Sequence, residues 1–382
     1  MSGKRTPEDE GQPAENGVPH VAQEGTPATP PPIPDTVVQP ALKLEVSDSH
    51  SRPSDRFGLA LGVYIAVAFG LAWLIALPLW FAEGLNTPGF PLYALAMMAT
   101  PTIAAIVVVL FVEKPPSTMR ALGLTPLTPV KRLIGYCLLA FVVIVALCSM
   151  ALPVGALLGQ YEADFTGFSG FEQIIRGQLA SAGIPELPLS IETMVMFQLL
   201  NIVIASFTIN VIPALGEEIG WRGWLLPRLL NHFGAWSAIG ISGVMWGIWH
   251  APVILLGYNY PDTPGWLALI AMTIMCTIIG GIIGWLRLRG GSVWPAAIAH
   301  STLNAAAGIY VLFMAEDTSV NTLHASVLGW TGWIIPAIVL ILIVTTGRFH
   351  AVCETPSLAD KRWRNVEVPR YSLDNEAERE YP

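Results

Sequence analysis

Charge is scarce in this chain: 13% of its 382 residues are Asp, Glu, Lys or Arg, against 53% that are hydrophobic. A water-soluble domain carries roughly a quarter charged residues, so composition argues against a soluble enzyme and for an integral membrane protein. The 20 Lys and Arg residues form no clustered basic patch, which excludes a nucleic-acid-binding surface. Cysteine is almost as sparse. Cys137, Cys148 and Cys276 lie inside apolar runs, Cys353 lies in the C-terminal stretch, and no CxxC or Cys/His spacing marks a disulfide framework or a zinc knot. HExxH is absent as well. No apolar core follows the first charges, so the amino-terminal stretch does not read as a signal peptide.

Long hydrophobic runs are what the chain has instead. Eight can be marked, at about 57–81, 89–112, 133–158, 193–215, 234–257, 265–286, 292–314 and 327–346. About 20 residues at ~1.5 Å each cross a ~30 Å hydrocarbon core, so the expected fold is all-α, a polytopic membrane helix bundle with about eight transmembrane helices. Residues 1–55 are Pro-rich and polar, with Pro30, Pro31, Pro32 and Pro34 together, and are expected to be a disordered tail. Residues 56–346 are expected to form the transmembrane domain, and 347–382 a second polar tail. The third connection, about 159–192, repeats Phe165, Phe168, Phe171, Ile174, Ile175 and Leu179 at helical spacing. It suits either an interfacial helix or a plain loop.

Lysine and arginine alternate between connections. Lys114, Arg120, Lys131, Arg132, Arg222, Arg228, Arg287, Arg289 and Arg348 fall on one set, while 83–89, 258–265 and 315–325 have almost none. The positive-inside rule then places both termini of this multi-pass membrane protein in the cytoplasm.

Ionisable groups at membrane depth are costly, and here they fall in three places. Glu218 and Arg222 are four apart in the favourable order for a same-face helical ion pair. Glu217 points about 100° away, towards whatever cavity lies there, and suits a general base acting on water; Asn210 lies two turns earlier on its face. The second place is Trp246-Gly-Ile-Trp-His250, followed by Pro252. The third is His300-Ser-Thr-Leu-Asn304, whose outer residues share one helix face. Separately, each place has a structural explanation: acids marking a helix end, a hydrogen-bonded histidine, polar glue between helices. Together, a carboxylate, two imidazoles and a carboxamide on three helices are the parts of a hydrolytic site.

The pattern Glu217-Glu218-x-x-x-Arg222, Trp246-x-x-x-His250, His300-x-x-x-Asn304 resembles the CAAX protease and bacteriocin-processing (CPBP) family of intramembrane proteases, also called the ABI domain. The context of 217–228 and 246–252 is typical of its bacterial members, and the resemblance covers about 190–310, the expected protease core. It implies that Glu217 activates a water, that His250 helps to hold it, that His300 and Asn304 stabilise the oxyanion, and that Glu218 and Arg222 are structural. Trp246 stands where eukaryotic relatives commonly have Phe. The family is grouped with metalloproteases, and Glu217, His250 and His300 are the zinc ligands this would imply; a metal-free, carboxylate-activated water fits the same residues. The implied partners are the bilayer and a membrane peptide or protein substrate, with no nucleic acid and the oligomeric state open. The rival class is non-catalytic: a membrane scaffold, a bacteriocin-immunity protein or a transporter.

Overall fold

The computed structural model describes residues 53–184 and 186–349, so the expected tails at 1–55 and 347–382 lie almost wholly outside the described residues. Among the described residues every regular element is helical; the sole β-bridge is an isolated one between Ala163 and Met314. In chain order the helices are α1 (Pro53–Phe81), α2 (Phe90–Met98), α3 (Thr100–Val107), α4 (Thr118–Ala121), α5 (Val130–Leu157), α6 (Ser169–Ser181), α7 (Ile191–Phe207) and α8 (Val211–Glu218). They continue with α9 (Leu226–Trp249), α10 (Ala251–Ile254), α11 (Gly265–Gly290), α12 (Trp294–Ala306), α13 (Tyr310–Phe313) and α14 (Trp330–Thr345). Two wide π turns interrupt the helices: Val108–Glu113 extends α3, and Ile219–Leu225 joins α8 to α9.

Lipid tails are as apolar as leucine, so close packing rather than hydrophobic burial holds such helices together. The sequence supplies small residues where that packing is needed. Ala60, Ala68, Ala72 and Ala76 form a four-residue stripe on α1 with Tyr64 among them, all buried; α1 packs on α3, and Tyr64 stacks on Trp224 of the second π turn. On α9, Gly243 and Gly247 let the backbone lie against α11: a Cβ at either would stand 2.4 Å from the Cα of Thr277 or Thr273. Both threonine hydroxyls donate to their own helix's carbonyls, leaving no orphan polar group at the contact. α12 is buried along most of its length among α5, α7, α8 and α11, and the Ser301 hydroxyl ties it to α7 by donating to the Ser206 carbonyl at 2.9 Å.

All eight apolar runs become helical, and five or six stretches, against the eight expected, qualify as full spans by length and composition. Five helical stretches are long and apolar enough to cross a bilayer: 57–81, 90–113, 130–157, 265–290 and 294–313. The fourth and fifth runs form one bent pair, Ile191–Phe207 with Val211–Trp249, at 46°, which makes up to six. The eighth run gives α14, whose 16 residues are shorter than a full crossing. Hydropathy registers apolar residues and is blind to where the helix breaks. The bend falls at Thr208–Asn210, and a second break at Gly234, with φ of +73°, divides α9.

The third connection does hold a helix, α6, with Phe171 buried and the helix packed on α13. Asp164 organises its approach by accepting from the backbone N–H groups of Gly167, Thr166 and Ser169. Those donors, Gly167 first, hold the Asp164 carboxyl down at about 2.

Candidate active site

The broken helices bring the three polar places to one cavity. It measures about 290 Å³, and Asn210, Glu217, His250, His300 and Asn304 all line it, with Trp246 and Trp249. Glu217 closes the last turn of α8, buried at 2% exposure yet turned to the cavity. Its Oε2 accepts the indole N–H of Trp246 at 2.8 Å, which fixes the carboxylate and leaves Oε1 for another partner.

Glu218 faces the other way, as the helical geometry requires. Its Oε1 accepts from Arg222 Nη1 at 2.7 Å and from His300 Nδ1 at 2.9 Å, and all three side chains are buried. The expected Glu218–Arg222 pair is therefore present, and it has a third member from α12. A buried pair of this kind is strongly destabilised by removing one partner, because the other charge is left uncompensated. The Arg222 guanidinium also lies over the Trp246 ring, 4.1 Å from its centroid. Trp246 thus joins the two carboxylates: it stacks on the cation that holds Glu218 and donates to Glu217.

His250 does not sit deep within a helix. It ends α9 and precedes α10, where Pro252, lacking an N–H, cannot continue the ladder. Its Nδ1 is bonded to the Trp246 carbonyl at 2.8 Å, so Nδ1 carries the proton and the neutral ring keeps Nε2 as an acceptor. Trp249 packs edge-on to it with centroids 4.8 Å apart, and is itself anchored by its N–H to Thr100 Oγ1 at 3.1 Å. His300 is buried, with Trp246 edge-on at 5.2 Å; Asn304, one turn later, is exposed to the cavity.

Several lining residues had no signal in the sequence. Met97, Met98, Met272 and Met275 give a deformable apolar wall, and Phe90, Tyr258 and Asn259 come from loop and helix ends. Alone, none of these residues differs from ordinary core or loop, so only the tertiary fold identifies them. Among the described residues no three His, Cys, Asp or Glu side chains are grouped to hold a metal ion, so Glu217, His250 and His300 as placed do not make a three-ligand centre.

With this geometry in view, the comparisons with known proteins are informative. Residues 199–306 match a family described as Type II CAAX prenyl endopeptidase Rce1-like. All four candidate residues, Glu217, His250, His300 and Asn304, lie inside the matched stretch. The chain is also 27% identical over 128 residues to CAAX prenyl protease 2 of Methanococcus maripaludis. That alignment covers 30% of this chain and 46% of the relative, so it spans about half the relative's length.

Proposed function

We propose that this multi-pass membrane protein is an intramembrane endopeptidase, a reading supported by the match of residues 199–306 to the Rce1-like type II CAAX prenyl endopeptidase family. It hydrolyses peptide bonds of membrane-associated peptides or proteins with water activated by Glu217. The carrying observation is Glu217 itself: a buried carboxylate held by one indole N–H, with one oxygen left over, beside His250, His300 and Asn304 in a single cavity.

The groups divide the work as follows. Glu217 Oε1 takes a proton from the water as it attacks the scissile carbonyl, and later delivers it to the leaving amine. His250, its Nδ1–H held by the Trp246 carbonyl, presents Nε2 as a second acceptor that orients the same water. The oxyanion is stabilised by the Asn304 carboxamide N–H and by His300. Donating from Nε2 while Nδ1–H remains on Glu218 requires His300 to carry both protons. The cluster is then neutral overall, two carboxylates against a guanidinium and an imidazolium. Glu218 and Arg222 position this cluster and do not touch substrate. The Lys/Arg-rich loops put substrate approach on the cytoplasmic side, and the relative's name makes a prenylated CAAX terminus the first substrate to try.

The test compares membrane proteomes of cells expressing wild type or Glu217→Gln at equal levels. New termini present only with wild type are expected, with the variant folded and inert. Full activity in Glu217→Gln removes Glu217 as the base, and identical proteomes favour the scaffold or transporter reading. Purified enzyme dialysed against a chelator is expected to keep its activity. Loss that zinc restores would make Glu217, His250 and His300 metal ligands instead.

A further inference from the structure

A second polar cluster lies where α11 ends and α12 begins. Arg287 stands in the last turn of α11, and its guanidinium packs against Gly123: a Cβ on that glycine would be 2.8 Å from Nη2 and 3.2 Å from Nε. Val293, just before α12, donates its N–H to the carbonyl of the same glycine at 2.8 Å. Three chain segments therefore meet at one point, and unsatisfied polar atoms collect there. Arg287 Nε is sealed from solvent without an acceptor, and the hydroxyl of fully buried Ser292 has no partner either.

The contrast with the other inward-facing arginines is informative. Arg222 is paired with Glu218 and Arg228 with Glu113. Among the described residues no carboxylate pairs with Arg287, nor with Lys131, Arg132 or Arg289 at the same end of the bundle. Arg132 instead donates from Nε and Nη2 to the Arg289 carbonyl, at 2.9 and 2.5 Å, which joins the first turn of α5 to the last of α11. Both helices are candidate spans and the cluster stands at their ends, where a helix long enough to cross the hydrocarbon core meets the headgroups. A guanidinium partly withdrawn from water needs an anion, and its fork of donors matches phosphate oxygens. The positive end of the 13-residue α12 dipole lies at the same junction.

We propose that the α11–α12 junction binds a phosphate group, with Arg287 and Ser292 as its ligands, and that an anionic phospholipid headgroup supplies it. α12 carries His300 and Asn304, so the bound headgroup braces the foot of the helix that lines the cavity.

The experiment measures thermal unfolding of the full chain in nanodiscs of phosphatidylcholine alone and of a phosphatidylcholine–phosphatidylglycerol mixture. A parallel series in detergent adds inorganic phosphate. Wild type is expected to gain roughly 5 °C with phosphatidylglycerol. Arg287→Gln should lose that gain, Ser292→Ala should reduce it, and Lys131→Gln, which alters surface charge only, should keep it. If Arg287→Gln does not fold, Arg287→Lys serves, retaining charge without the fork and giving a smaller gain. An Arg287-dependent gain with inorganic phosphate and none with lipid supports the site and assigns it to free phosphate. Equal gains in wild type and Arg287→Gln, or none from either probe in wild type, overturn the proposal.

Discussion

At the scale of single residues, two adjacent glutamates face opposite ways, Glu217 towards the cavity and Glu218 towards an arginine and a histidine. Their divergence was legible in the sequence, because neighbours on a helix point about 100° apart and only Glu218 has an arginine four residues on. What Glu218 does beyond that pair was not legible, since His300 reaches it from 82 residues away. Trp246 was read only as the opening of a motif, yet its N–H holds the Glu217 carboxylate and its ring face holds Arg222. Trp246→Phe keeps a ring for the cation and deletes the N–H. A hydrogen bond to a charged group is worth about 1.5–3 kcal/mol, so kcat/KM on a cleaved peptide is expected to fall about tenfold to a hundredfold with little change in thermal stability. An unchanged kcat/KM would show that Glu217 needs no such orientation. The zinc expectation also turns on single atoms. Both histidines have Nδ1 committed, His250 to a carbonyl and His300 to Glu218, which leaves one nitrogen on each ring.

At the scale of elements, breaks matter as much as helices. Glu217 precedes a π turn, Asn210 sits at the bend before α8, and His250 occupies the gap between α9 and α10. Hydropathy found the runs and smoothed over the interruptions, which is why eight crossings were expected where five or six stretches qualify. Both breaks had a visible cue: Pro252 follows His250, and Pro213 has no N–H for the carbonyl of Ile209, in the middle of the bend at Thr208–Asn210. The α9–α11 contact gives a clean test. Gly247→Ala would push a methyl against Thr273 one turn from His250, and overpacking of this kind costs about 1–3 kcal/mol. Gly240→Ala, on the same helix with open space around it, should be neutral or slightly stabilising. Unfolding of both variants in detergent is the measurement, and equal stabilities would mean that the two helices can separate freely.

At the scale of the whole molecule, membrane class and helical architecture were legible because composition alone demands them, whereas the cavity's methionine wall and aromatic rim exist only once distant segments meet. The orientation expected from the Lys/Arg bias is open to direct measurement. With the native cysteines replaced, Glu186→Cys in the third connection is expected to react with a membrane-impermeant maleimide in intact cells. Arg120→Cys should react only after permeabilisation, and the reverse pattern would invert the topology. One feature of the scaffold also bears on how the chain tolerates insertions and deletions. The two π turns are fastened to each other: Glu113, closing the first, holds Arg228 and Trp224 at the end of the second. A wide turn holds one residue more than an α-helical turn. Deleting one residue from this stretch, Arg222 and Trp224 apart, would therefore let it close to an ordinary α turn with Arg228 still facing Glu113, whereas inserting one would swing Arg228 about 100° away. The spacing between Glu218 and Arg228 is thus free to shorten by one residue and closed to lengthening, quite apart from which residues they are.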